Sequence, residues 1–258
     1  MVTADMRRTL AGVRMPNRMK LYVGLACLLA NVCQAGNPQS GKPLFARSAD
    51  EIFSGQCLEL ARAAADGNLK RMTALLGDKE LVNCRGYADT TPLYWAIAER
   101  RGSVEGAKRL LESGADPDQQ LEDGDGMLHI AVLRGEARFV KLLLDHGANP
   151  NLVGRGGWTP LFSLQNGSVD IVRLLVEAGA NPDYQTSFGE TPMTYLAGTR
   201  QYGAVLFLLE SGADWKQKDK RGHSLSRVVE IGSVNWDTRV PEYQNYLKVL
   251  AFLHNAAQ

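Results

Sequence analysis

Residues 145–151 read DHGANPN, and close variants stand at SGADPDQ (113–119), EAGANPD (177–183) and ESGADWK (210–216). Each copy follows an apolar run containing a Leu pair or triple. A glycine after such a run supplies the left-handed residue that ends a helix, so Gly114, Gly147, Gly179 and Gly212 mark four helix stops. The phrase is therefore punctuation. The Asn or Asp that closes it leads the chain into an extended excursion, which returns at the next Gly-x-Thr-Pro.

Working outward, four stretches align on their turn chemistry: TPLYWAIAE (91–99), GMLHIAVLR (126–134), TPLFSLQN (159–166) and TPMTYLAG (191–198). SLSRVVEIG (224–232) is a degenerate fifth copy. QCLELARAAADGNLKRMTALL (56–76) reads as an earlier one that keeps the helix pattern but has lost its turn motif. The period is near 33 residues, which gives about six units. In the three Thr-Pro copies, Thr suits the N-cap and Pro the first helical position, whereas Gly126 replaces the capping Thr. A glycine (Gly67, Gly102, Gly135, Gly167) breaks the first helix. The second follows with apolar residues at helical spacing, such as Val140, Leu143 and Leu144, or Val172, Leu175 and Val176.

The TPL motifs, His129 in GMLH, the Leu pairs and the GAD/GAN-P-D/N stops together resemble an ankyrin-repeat protein over roughly residues 56–232. The resemblance implies an all-α solenoid of helix–loop–helix units, with β-hairpin-like loops projecting at right angles and a C-terminal capping helix. One such unit cannot bury its apolar faces alone, so neighbours complete the core. Capping falls to the charged outer face of ARAAADGNLKRM at the N-terminal side. At the other end it falls to VPEYQNYLKVLAFLHNAAQ (240–258), with Tyr243, Tyr246, Leu247, Leu250, Phe252 and Leu253 as its apolar stripe. GSVNWDTRVP (232–241) reads as an insertion whose Trp236 tucks under the cap.

The overall charge of +1 gives no general attraction to nucleic acid or to an anionic membrane. Residues 1–20 are basic (Arg7, Arg8, Arg14, Arg18 and Lys20 against Asp5) and precede the apolar LYVGLACLLANV (21–32) and CQA. That order predicts a secretory signal peptide cleaved after Ala35 and export of the mature protein; the resemblance to bacterial exported ankyrin proteins drawn below implies the periplasm. A lipidated Cys27 or Cys33 is the rival exit, with membrane contact only in that case, but neither has a good lipobox. The domain organisation is then signal peptide 1–35, linker 36–55, repeats 56–232 and cap 233–258. Cys57 and Cys84 remain, either as a disulfide or as two small buried thiols.

Catalytic signatures are missing. The four His lack metal-ligand spacing, and there is no G-x-S-x-G elbow, phosphate-binding glycine loop or CxxC. GRGG (154–157) reads as a flexible loop, and LEDGD (121–125) as a hairpin tip rather than a calcium loop. The expectation is a non-enzymatic protein without cofactor or metal, monomeric when free. The resemblance implies docking on the concave side, at loop tips and first-helix ends. Carried over by position, these are Tyr87, Ala88 and Thr90; Glu122, Asp123 and Asp125; Arg155 and Trp158; Ser187, Phe188 and Glu190. The helix ends add Glu99, Arg100, Arg101, Arg134 and Asn166. Tyr87, Trp158 and Phe188 would form a row of aromatic anchors, residue types suited to energetic hot spots, unless Trp158 and Phe188 pack sideways on adjacent loops.

The export signal, small size and repeat array are similar to bacterial exported ankyrin proteins. GADW followed by an irregular insertion and a capping helix is similar to members that serve as immunity proteins for type VI phospholipase effectors. That similarity implies a secreted toxin as partner. The alternative is a periplasmic accessory factor supporting an oxidative-stress enzyme such as a catalase.

Overall fold

The computed structural model describes residues 44–165, 168–232 and 239–256, so the expected signal peptide, Asn166 and Trp236 lie outside the described residues. The chain divides into two units, Met1–Arg47 and Ser48–Gln258. Of the first, only a 3-10 turn at Leu44–Ala46 and Arg47 fall among the described residues.

Among its described residues the second unit is helical. Its α helices are α1 (Ala49–Ile52), α2 (Gly55–Ala65), α3 (Leu69–Leu75), α4 (Lys79–Val82), α5 (Pro92–Ala98), α6 (Val104–Glu112), α7 (Met127–Leu133), α8 (Ala137–Asp145), α9 (Val169–Glu177), α10 (Pro192–Gly198), α11 (Tyr202–Glu210), α12 (Leu225–Gly232) and α13 (Pro241–Asn255). They stack in two layers. First helices pack in the order α2, α5, α7, the 3-10 turn Pro160–Ser163, α10 and α12; second helices pack in the order α3, α6, α8, α9, α11 and α13. The core runs between the layers through Leu60, Met72, Ile97, Leu110, Leu128, Phe139, Leu143, Leu161, Leu175, Leu196 and Leu208, all essentially without solvent access.

The repeated phrase does two jobs. Gly147 takes φ +83°, a left-handed value shared by the equivalent glycines. From there the Gly147 and Ala148 amides donate back to Leu144 and Leu143 carbonyls at 3.0 Å each, which closes the otherwise unpaired end of α8. The Asn/Asp pair does the second job. Asn149 Oδ1 accepts from Asn151 N (2.9 Å) in an Asx turn. Asn151 then reaches into the next repeat, accepting from Asn181 N (2.7 Å) and donating to Gly179 O (2.9 Å). Asp118 to Asn149 N and Asp183 to Asp214 N repeat the rung at 2.8 Å each.

The ladder begins one copy earlier than the repeated phrase. The first copy lacks the Thr-Pro step but carries a rung in VNCR (82–85), because Asn83 makes the same two contacts with Asp116 N and Gly114 O, both at 3.0 Å. The extra helix α4 ahead of it hides the match. At the other end Lys216 stands where the ladder needs Asn or Asp, and it cannot accept a hydrogen bond. The rungs stop there.

Three details of the packing are visible only in the structure. Ahead of the first copy, Ile52 and Phe53 of the 36–55 segment are buried, and Phe53 meets Trp95 edge-on at 6.3 Å. The first helix of the third complete repeat is only the 3-10 turn Pro160–Ser163. This unit is one residue shorter than its neighbours between cap and second helix, so a full turn is lost. The buried Gln201 side chain satisfies the carbonyl of Leu164 left behind, at 2.7 Å. In α13 the buried stripe is Tyr246, Val249 and Leu253, whereas Leu247 faces water and Phe252 packs edge-on against Trp215 at 6.1 Å.

Candidate binding surface

Each projecting loop is a tight hairpin closed by one equivalent bond: Gly86 N to Thr90 O, Leu121 N to Asp125 O, Gly154 N to Trp158 O, Thr186 N to Glu190 O, and Asp219 N to His223 O, at 2.7–3.0 Å. The only bridge among the described residues, Gln120–Gly126, brackets the second hairpin. Neighbouring hairpins are tied together by Glu122 N to Ala88 O (3.2 Å) and Lys220 N to Phe188 O (3.0 Å). Gln120 Nε2 donates to Val153 O (3.0 Å), and Arg155 N donates to Asp125 Oδ1 (3.0 Å).

His129 fastens this layer to the helices. Its Nδ1 accepts from Gly126 N (3.1 Å) and its Nε2 lies 3.0 Å from Trp158 O. The amide can only donate, so the ring proton sits on Nε2 and the imidazole is neutral. Burial lowers its pKa in the same direction. His129 is scaffold.

Several residues carried over as contact candidates are also spent internally. Arg155 pairs with Asp123 (3.0 Å) and Asp125 (3.2 Å), and Asp125 is buried. Arg134 turns its guanidinium onto the carbonyls of Ala98 and Glu99, closing the end of α5. Thr90 is buried, its hydroxyl on Tyr87 O at 2.8 Å. Trp158 is half-buried, stacked on Phe162 (5.9 Å between centroids) and tilted against Tyr195 (5.0 Å). Tyr87 is half-buried too. The row of three open rings reduces to Phe188, which is 71% exposed.

Glu99 is half-buried and holds the Arg100 amide at 2.9 Å, while Arg100, Arg101 and Glu122 are exposed. Glu190 is mostly withdrawn from water. Burial, with Asp219 adding its charge and Arg221 opposing, pushes its pKa up to about 7. Tyr195 rises to about 12 for the same two kinds of reason, burial first and then Glu190.

Lys218, Lys220 and Arg221, exposed on the fifth hairpin, were not among the sequence candidates. Their repeat is the degenerate one, and Ser224 replaces the Thr-Pro signature. The signal that could have found them is DKRGHS (219–224), in register with TSFGET (186–191) one repeat earlier.

Comparison with known proteins agrees with this architecture. The family model "Ankyrin repeats (3 copies)" matches residues 97–186 and 128–219. Protein PhlB of Serratia liquefaciens is 33% identical over 150 residues, 57% of this chain and 65% of that protein. Inversin of Gallus gallus is 34% identical over 117 residues, 44% of this chain. The chain thus spans under two thirds of PhlB and a tenth of Inversin. Among solved structures, that of EF0377, an ankyrin repeat protein, superposes with a TM-score of 0.63 at 27% identity, covering 77% of this chain and 98% of that one. Repeated stops, hydrogen-bonded hairpins and two helical layers agree with these matches: the chain carries ankyrin repeats over residues 97–219 and has the ankyrin-repeat solenoid fold, a protein-interaction module.

Proposed function

We propose that the protein is exported and acts by occlusion, as a periplasmic immunity protein that neutralises a secreted, lipase-type antibacterial effector. The observation that carries the binding part is the row of hairpins: their backbone bonds repeat, while their outward side chains differ at every step. A rigid scaffold with variable ends is suited to recognising one partner, at little ordering cost. Export is supported by the basic-then-apolar N-terminal sequence. It is supported further by the Cys57–Cys84 disulfide, since such bonds persist in oxidising compartments. The effector assignment rests on the resemblance of the late GADW motif, the insertion and the closing helix to exported immunity proteins. Inhibition of this kind needs no chemistry by the inhibitor; the array covers the effector's active-site entrance or holds its lid.

The test is to search the genes adjacent to this one for a lipase-type effector and to co-express the full chain with it, the effector directed to the periplasm. Protection by the full chain, its loss on deleting residues 1–35, and recovery of a stable complex are the expected results. No protection and no complex would overturn the proposal; a complex with a co-encoded catalase would replace it with the accessory role.

A further inference from the structure

The fourth and fifth hairpins make a feature that the rest of the row lacks. Phe188 is the most exposed large apolar side chain among the described residues, yet its backbone is fixed on both sides. Phe188 N donates to Thr186 Oγ1 (3.3 Å) and Phe188 O accepts from Lys220 N (3.0 Å). Gly189, at φ +76°, lets the two hairpins touch: a Cβ there would lie 3.0 Å from Lys220 N and 3.1 Å from Asp219 Cα. An exposed ring on a stiff mount loses little conformational freedom when it is buried by a partner.

The charges around it sort by direction. Lys218 and Lys220 are exposed and make no ion pair among the described residues, and Arg221 is exposed beside them. The nearby carboxylates are turned inward. Asp219 accepts from Arg221 N and His223 N (2.8 Å each) and meets His223 Nδ1 at 3.2 Å. Glu190 is withdrawn under the hairpin. On the third hairpin the opposite holds, with Arg155 neutralised by Asp123 and Asp125.

We propose that Phe188, with Lys218, Lys220 and Arg221 around it, is the anchor for a protein partner whose surface offers an apolar pocket rimmed by carboxylates. The inference rests on the protein-binding reading and is independent of which effector is bound. Charge complementarity selects the rim, and the single fixed ring selects a pocket. A lipid surface would call for a broader apolar face than one side chain.

The test places the photoreactive analogue benzoylphenylalanine at position 188 of the full chain in cells of the source organism, with the same probe at exposed Val153 as control. Adducts are mapped by mass spectrometry. The expected result is a protein adduct at 188, absent at 153, seated among Asp and Glu residues of the partner. Its yield should fall about tenfold or more when Lys218→Glu, Lys220→Glu and Arg221→Glu are combined, because like charges then face each other. All three side chains are exposed, and an unchanged thermal midpoint verifies folding. An adduct to phospholipid or to a second copy of this chain, a yield indifferent to charge reversal, equal labelling from 153, or no adduct would each overturn the inference. If the captured protein fits the description but is not an effector, the anchor stands and the immunity reading falls.

Discussion

Glu190 and Trp158 occupy the same position in successive repeats, just before the Thr-Pro step, and the structure gives them different work. Burial raises the Glu190 carboxyl from its ordinary 4.5 to about 7, so the folded protein holds this proton more tightly than the unfolded chain does. The associated stability is fully present below about pH 4.5 and is lost as pH rises through about 7. Glu190→Gln should therefore remove that slope and leave the variant more stable than the parent at pH 8, by on the order of 1 kcal/mol. Thermal midpoints at pH 4.5 and pH 8 measure it, and parallel profiles for the two proteins would contradict it. Trp158 was legible as an aromatic hairpin residue, but its burial depends on Phe162 and Tyr195, the latter contributed by the next repeat. Trp158→Ala should cost about 2 kcal/mol of stability. If the midpoint does not move, the ring belongs to a contact surface after all.

At the scale of the element, the Asn/Asp rungs tie successive repeats. Apolar packing already holds neighbouring units together, and the rungs add a polar tie at each turn. Asn151 satisfies one donor and one acceptor of the following turn. Asn151→Ala should lower stability by about 1–2 kcal/mol, read as a lower urea midpoint, whereas an unchanged midpoint would remove the ladder from the account of repeat coupling. The rung residues were visible in sequence as a repeated letter, while their cross-repeat partners were not, because those lie some thirty residues away. The shortened first helix at Pro160–Ser163 shows the same limit. TPLFSLQN carries good cap chemistry, but one missing residue before α9 overrides local propensity. The carbonyl this strands is satisfied from the next repeat, by Gln201.

Across the whole molecule, the array is closed differently at its two ends. The C-terminal end is covered by α13, whose Tyr246, Val249 and Leu253 replace the apolar face of a further repeat, and Glu242 holds Gly203 N at 2.9 Å. The N-terminal end is cross-linked by Cys57–Cys84, 27 residues apart in sequence. A loop of that size restricts the unfolded chain by about 3–4 kcal/mol in the chain-entropy account. Reductant should lower the thermal midpoint of the full chain, and superimposable melts with and without it would show that the bond contributes nothing. The sequence by itself determined the period, the helix stops and the paired helices of each unit, because each follows from local chemistry repeated in register: a left-handed glycine, a Thr-Pro cap and apolar residues at helical spacing. The resemblance to ankyrin repeats implied the solenoid that the structure shows. Only the tertiary structure decided which side chains remain available to a partner. Arg134, Asp125, Arg155 and Trp158 carry the right chemistry for recognition, yet neighbours from other repeats consume them. Phe188, Lys218, Lys220 and Arg221 stay open because the groups that could have satisfied them face the other way.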